Sequence, residues 1–162
     1  MPCALGVHGG AWNVPDGDVG PHRDGVAEAL KAGWSLLQSG SAALDVVEKI
    51  VRILEDDSTF NAGVGAHLNQ ASEVQLDASI MEGRRLEAGA VAAVQRVGHP
   101  VSLARMVLEA SPHVLMVGDG AHSFASEHGM ELCQQRDLLV GRELERYLRV
   151  RDGEVDLVVR EF

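Results

Sequence analysis

The chain has 162 residues, 46% of them hydrophobic, and its 24 acidic against 14 basic side chains leave a net charge of -10 at neutral pH. That apolar content suits one globular domain with a sizeable core and excludes a disordered or fibrous chain. Lys31 and Lys49 are the only lysines, and the arginines are scattered until a late cluster from Arg136 to Arg160, so the concentrated positive surface that a phosphate backbone needs is lacking and no nucleic-acid partner is expected. Cys3 and Cys133 stand far apart without a CxxC spacing, which suggests neither a disulfide framework nor a structural zinc site. The start "MPCALGVHGG" has no basic leader region and no stretch approaches the about 20 apolar residues of a membrane span, so a soluble cytoplasmic protein is expected.

In chain order, "CALGVH" (residues 3–8) is a short apolar run closed by two glycines and reads as a buried strand entering a glycine loop. The following "GGAWNVPDGDVG" is irregular by composition. From Asp24 to Gln38, the residues Val26, Ala29, Leu30, Gly33, Trp34 and Leu37 recur at helical spacing, and Gly40 suits the end of that helix. Ser41 is placed to cap a second helix whose stripe is Leu44, Val47, Ile50, Val51 and Leu54. "EVQLDASIM" alternates Val74, Leu76, Ala78 and Ile80 against Gln75, Asp77 and Ser79, the pattern of a half-buried strand, and "GRRLEAGAVAAVQ" adds a turn and a second strand to make a hairpin. Pro100 sits at the first turn of a helix through "PVSLARMVLEA"; "SPHVLMVG" is a further apolar strand and "GDGAHSFASEHG" opens a short helix. After Arg136 the chain is dense in charge, with intermittent leucines, which predicts a surface helix followed by an arm.

Between the second helix and the hairpin lies "STFNAGVGAH", residues 58–67. Gly63 and Gly65, two apart, let the backbone take conformations closed to other residues and approach a ligand or ion closely. Asn61 either bridges backbone groups in this corner or reaches a reacting centre. Asp77 points into a cleft or into water. "HGG" at residues 8–10 resembles loops whose backbone N–H groups face developing negative charge, although no GxSxG nucleophile motif accompanies it; a strand-to-loop turn with His8 as a satisfied core histidine is the other reading. Gly118 and Gly120 follow a strand as in a dinucleotide loop, but the third glycine position holds Ser123, so packing and a tight turn are the better reading. His113, His122 and His128 match no metal-ligand spacing. Thr59 is the only threonine and lies inside the chain, so a mechanism that needs a threonine with its own free amine requires another polypeptide.

Taken in order, "HGGAWNVPDG", "LDVVEKIVRILEDDSTFNAGVGA", "VQLDASIMEGRRLEAGAVAAV" and "HPVSLARMVLEASPHVLMVGDGAHSFA" resemble the N-terminal half of the plant-type (type III) asparaginase and isoaspartyl peptidase family, from Gly6 to about Ala125. The resemblance implies an α+β fold, a four-layer αββα sandwich of the N-terminal-nucleophile hydrolase kind. This chain would be the α subunit, supplying about half of the sandwich, and a β subunit beginning with the nucleophilic threonine would complete it. Residues 1–135 would form the α-subunit half and residues 136–162 a charged helix or arm leading to the autocleavage linker. The implied activity is hydrolysis of asparagine or β-aspartyl dipeptides through an acyl-enzyme on the β-chain threonine, in an (αβ)2 assembly. The main-chain carbonyls of Leu54, Glu55, Asp57, Phe60, Ala62 and Val64 would hold a sodium ion, with no organic cofactor. Asn61, Gly9 and Gly10 would support the nucleophile. Ser58 stands where many members carry proline, and Trp12 where glycine is often found, which implies a less prestiffened ion loop and a bulkier first loop. The residues that bind substrate belong to the missing chain. Apart from the resemblance, the glycine corner and the "GDG" turn also suit a non-catalytic ion- or small-molecule-binding module, or an inactive relative serving as an interaction partner.

Overall fold

A computed structural model describes residues 3–154. Two long helices come first, α1 (Val19–Gln38) and α2 (Ala43–Asp56), followed by the glycine corner and a hairpin of β1 (Leu76–Glu82) and β2 (Glu87–Val94). Helix α3 (Pro100–Ala110) crosses over to β3 (Leu115–Val117), which leads directly into α4 (Gly118–Glu127); α5 (Gln135–Leu138) and α6 (Gly141–Arg151) close the described chain. The sheet order is β1-β2-β3, antiparallel within the hairpin and parallel between β2 and β3.

The hairpin forms as its alternation requires. Leu76, Ile80, Val91 and Val94 are buried on one face, together with Leu103, Ala104 and Val107 of α3, Ala121 and Ala125 of α4, and Leu138 and Leu139 at the end of α5. Gly89 lets α3 lie against β2, because a Cβ there would collide with the backbone of Ala104 and with Leu108. On the other face Ser79, Ala90 and Leu115 stand side by side across the three strands. Met81, Leu115 and Val117 on that face are each more than half exposed, so the sheet has one covered side and one apolar side open among the described residues.

A second cluster joins Ala29 of α1 with Val46, Ile50 and Leu54 of α2 and with Phe60, and Leu5 and Val7 pack onto it. Helix α2 lies between the two clusters, which explains why its stripe departs from the expected one: Val46 is buried and Val47 exposed, while Leu44 and Val51 turn to the sheet cluster. Arg105 on α3 ties the two helices by reaching Asp45 and Glu48 on α2, each at 2.7 Å.

The structure corrects several other expectations. Residues 3–8 form no regular element and pair with no strand among the described residues, and only Leu5 and Val7 are partly buried; a run of this kind needs a neighbouring strand to become sheet, and the described chain offers none beside it. Helix α1 starts at Val19, earlier than Asp24, because Pro21 falls in its first turn, where a missing N–H is tolerated. Leu30 and Trp34 are exposed, and Leu36 takes the inward position. Ala42, not Ser41, occupies the N-cap of α2. The β3 strand has three residues, and Leu115 and Val117 are exposed because they lie on the open face of the sheet while Met116 turns to the core. The segment after Arg136 is more than surface, because Leu138 and Leu139 are in the core; the expected arm lies partly outside the described residues.

Candidate functional site

Helix α2 ends at Asp56 and the chain turns back on itself within nine residues. The Asp57 carboxylate accepts the N–H of Thr59 at 2.9 Å and its carbonyl accepts the N–H of Phe60 at 3.0 Å, which fixes the first bend. The N–H of Val64 then returns to the carbonyl of Glu55 at 2.7 Å. Both glycines are required by close approach: a Cβ on Gly63 would stand 2.5 Å from the Glu55 carbonyl oxygen, and one on Gly65 would stand 2.7 Å from that of Ser58 and 3.1 Å from that of Phe60. Gly65 also has a φ of +86°, in the left-handed region that favours glycine.

Oxygen atoms therefore crowd this corner. Of the six carbonyls expected to hold a cation, those of Glu55 and Asp57 each accept one N–H and keep a second lone pair. Those of Leu54, Phe60, Ala62 and Val64 accept no hydrogen bond among the described residues, although Leu54 and Phe60 are buried. Buried carbonyls without partners suit a hard monovalent cation, so the residues present fit the ion expected there.

Glu55 also acts through its side chain. Its carboxylate is 1% exposed, accepts the N–H of Val101 at 2.9 Å and lies 3.2 Å from Nδ1 of His99. Burial pushes its pKa up to about 8 against the opposing pull of the Val101 N–H. Burial likewise holds His99 below the usual histidine value. One residue thus caps α3 with its side chain and closes the corner with its carbonyl.

The glycine loop sits on the same corner through Phe60. A Cβ on Gly9 would meet the Phe60 ring at 2.8 Å and Val26 at 2.6 Å, and one on Gly25 of α1 would meet the other edge of that ring at 2.7 Å. His8 is exposed, so it is not a core histidine; its Nδ1 accepts the N–H of Gly10 at 3.1 Å. Gly10, at φ +100°, thus spends its amide inside the loop in this conformation.

Asn61 is exposed, and its carboxamide makes no hydrogen bond among the described residues, so it does not brace the corner. It lines a small cleft with Ser58, Thr59, Val140, Arg142 and Glu143. The last three come from the tail, which sequence reasoning left as surface. The N–H of Gly65 donates to the Leu138 carbonyl at 2.7 Å, and Glu143, almost fully buried, meets Nδ1 of His67 at 2.9 Å. Although burial acts to raise the Glu143 pKa, the His67 hydrogen bond and the nearby arginines hold it below the ordinary carboxylate value. Arg142 lies over the Trp12 ring at 4.8 Å. A charged helix was legible here; that its Glu143 would face a histidine 76 positions earlier was not.

Asp77 is exposed at the sheet surface and lines no cleft, but its carboxylate is not idle. It accepts the N–H of Ala93 at 2.7 Å where the β1–β2 register shifts, and Ala93 has a positive φ of 52°, so the carboxylate stabilises a bulge. Gly118 serves the turn from β3 into α4 with a φ of +52°, and nothing crowds it or Gly120, so neither is a packing glycine. Among the described residues no group of three His, Cys, Asp or Glu side chains is placed to hold a metal, and no helix is long and apolar enough to cross a membrane.

A family model described as asparaginase matches residues 1–161. Among curated proteins, an isoaspartyl peptidase/L-asparaginase of Rattus norvegicus is 42% identical over 137 residues, covering 84% of this chain and 41% of the relative. A plant-type L-asparaginase of Pyrococcus abyssi is 49% identical over 123 residues, covering 75% and 40%, and an isoaspartyl peptidase of Salmonella typhimurium is 44% identical over 133 residues, covering 79% and 42%. The chain spans less than half the length of the curated relatives it matches.

Proposed function

This chain belongs to the asparaginase family, and on that footing we propose that it is the α subunit of an autoprocessed amidohydrolase acting on L-asparagine, β-aspartyl dipeptides or both. The observation that carries this reading is the family match through residues 1–161 in a chain whose only threonine, Thr59, is held inside the corner with its N–H given to Asp57. The nucleophile is then the N-terminal threonine of a β subunit. Its hydroxyl attacks the side-chain amide or isopeptide carbonyl while its own α-amine takes the proton and passes it to the departing ammonia or amine. Water then cleaves the resulting ester, restoring the threonine.

The residues of this chain support that centre. In this reading Asn61, which lines a cleft and has no hydrogen bond among the described residues, donates or accepts at the nucleophile, and Gly9 and Gly10 belong to the loop seated on the neighbouring Phe60 ring. The carbonyls of Leu54, Glu55, Asp57, Phe60, Ala62 and Val64 would hold a sodium ion, whose charge would offset the crowded oxygen dipoles and so stiffen the corner that presents Asn61. The open face of the sheet, with Leu115 and Val117 exposed, is covered by a second sheet to which the β subunit contributes, completing a four-layer αββα sandwich. Two such αβ units associate. Two cysteines without disulfide spacing fit a cytoplasmic setting.

Intact-mass measurement and N-terminal sequencing of every polypeptide in the purified protein test this reading, together with ammonia release from asparagine and from an isoaspartyl dipeptide. Two associated chains, the second starting with threonine, and amide hydrolysis are expected. A single uncleaved chain that hydrolyses neither substrate overturns it.

A further inference from the structure

We propose that the first turn of α6 is a clasp that holds the glycine loop against the Asn61 corner, with Arg142 and Glu143 as positioning residues. This rests on the reading above, in which both loops serve the same reacting centre. The two residues are adjacent, yet they reach different loops. Arg142 covers the Trp12 ring at 4.8 Å and stands 3.7 Å from Asp18, so it holds both ends of the loop between the glycines and α1. Glu143 turns inward to His67, just past the corner, at 2.9 Å.

The contact is not confined to the surface. Trp12 lies 5.7 Å from the His22 ring, and His22 meets Phe60 edge-on at 5.4 Å, so a relay of planar groups runs from the guanidinium through the loop to the centre of the corner. Phe60 is the ring on which Gly9 is seated. Behind the clasp, the Leu138 carbonyl fastens Gly65 at 2.7 Å, so the tail grips the corner through Gly65 and His67 and the loop through Trp12 and Asp18. An exposed arginine paired only with carboxylates would be a weak and salt-sensitive tether, whereas a planar guanidinium on an indole face fixes orientation as well as distance.

Amide hydrogen exchange on the complete processed protein, with steady-state kinetics on an isoaspartyl dipeptide, tests the clasp. Arg142→Ala should speed exchange of the Gly10 and Val14 amides, which are hydrogen-bonded within the loop, by about tenfold while leaving α3 and β2 unchanged, since only the local opening is released. It should lower kcat with little change in KM, because the loop positions groups rather than binding substrate. Arg142→Lys, which keeps charge and loses planarity, should restore the loop only in part. Trp12→Phe retains a ring and should stay close to the parent, and the double variant Trp12→Ala with Arg142→Ala should be no worse than either single change. Exchange of the Gly10 and Val14 amides that is unaltered by Arg142→Ala, or strictly additive effects in the double variant, overturns the clasp. If the parent protein hydrolyses no amide, the exchange measurements still decide the clasp, so the two readings fail separately.

Discussion

The carboxylate of Glu55 accepts the N–H of Val101 at 2.9 Å, across a sequence separation of 46, while the carbonyl of the same residue accepts the N–H of Val64 at 2.7 Å. A single buried residue thus joins the start of α3 to the corner that carries Asn61. Replacing Glu55 with alanine leaves the first-turn N–H of Val101 without its partner and removes the contact to His99. The loss should be about 1–3 kcal/mol. Glutamine keeps an oxygen for Val101 and should restore most of it. Thermal unfolding of the two variants beside the parent distinguishes them, and equal melting of all three would count against the cap.

Gly65→Ala meets two obstacles, a left-handed backbone and the carbonyl oxygens of Ser58 and Phe60. Together they should destabilise the protein by more than the about 1 kcal/mol of the conformational term alone. Because the Phe60 oxygen belongs to the proposed ion site, the variant should also lose its response to sodium. The parent should melt at a higher temperature in sodium chloride than in choline chloride of equal strength, by an amount that grows with ion concentration. No difference between the salts in the parent would remove the ion from the account.

Asp77→Ala strips the acceptor from the bulged N–H of Ala93 and should cost about 1–2 kcal/mol, with Asp77→Asn recovering part of it. Denaturant midpoints at constant slope give this number. Retained stability in Asp77→Ala would mean that the bulge holds itself.

Glu143 supplies a pH dependence. Its pKa is lowered in the fold from 4.5, so its contribution to stability is present above that value and disappears as the pH falls below it and through the lower folded value. The difference in melting temperature between the parent and Glu143→Gln should therefore be full at about pH 7 and shrink progressively in acid below about pH 4. A difference that grows in acid would show that the carboxylate is not held in its charged form.

Local patterns carried much of the architecture. The alternation from Val74 to Ile80 placed the inner face of β1, Pro100 marked the start of α3, and the spacing of Gly63 and Gly65 pointed to a tight corner, although the close neighbours proved to be the chain's own carbonyls. These succeed because period, proline geometry and the missing Cβ act within a few residues. The stripe of α2 misled in detail because a helix between two clusters has two inward faces, and periodicity alone cannot say which neighbour each face will meet.

The amino-acid order by itself determined the helices, the hairpin and the tight corner. Tertiary structure alone decided that residues 3–8 would lie unpaired on the helices, that Asp77 would support a bulge, and that a charged tail would return to the cleft through Arg142 and Glu143. The physical reason is range: propensity and side-chain period are local, whereas a buried carboxylate or an arginine over an indole is stabilised only by what the fold brings beside it.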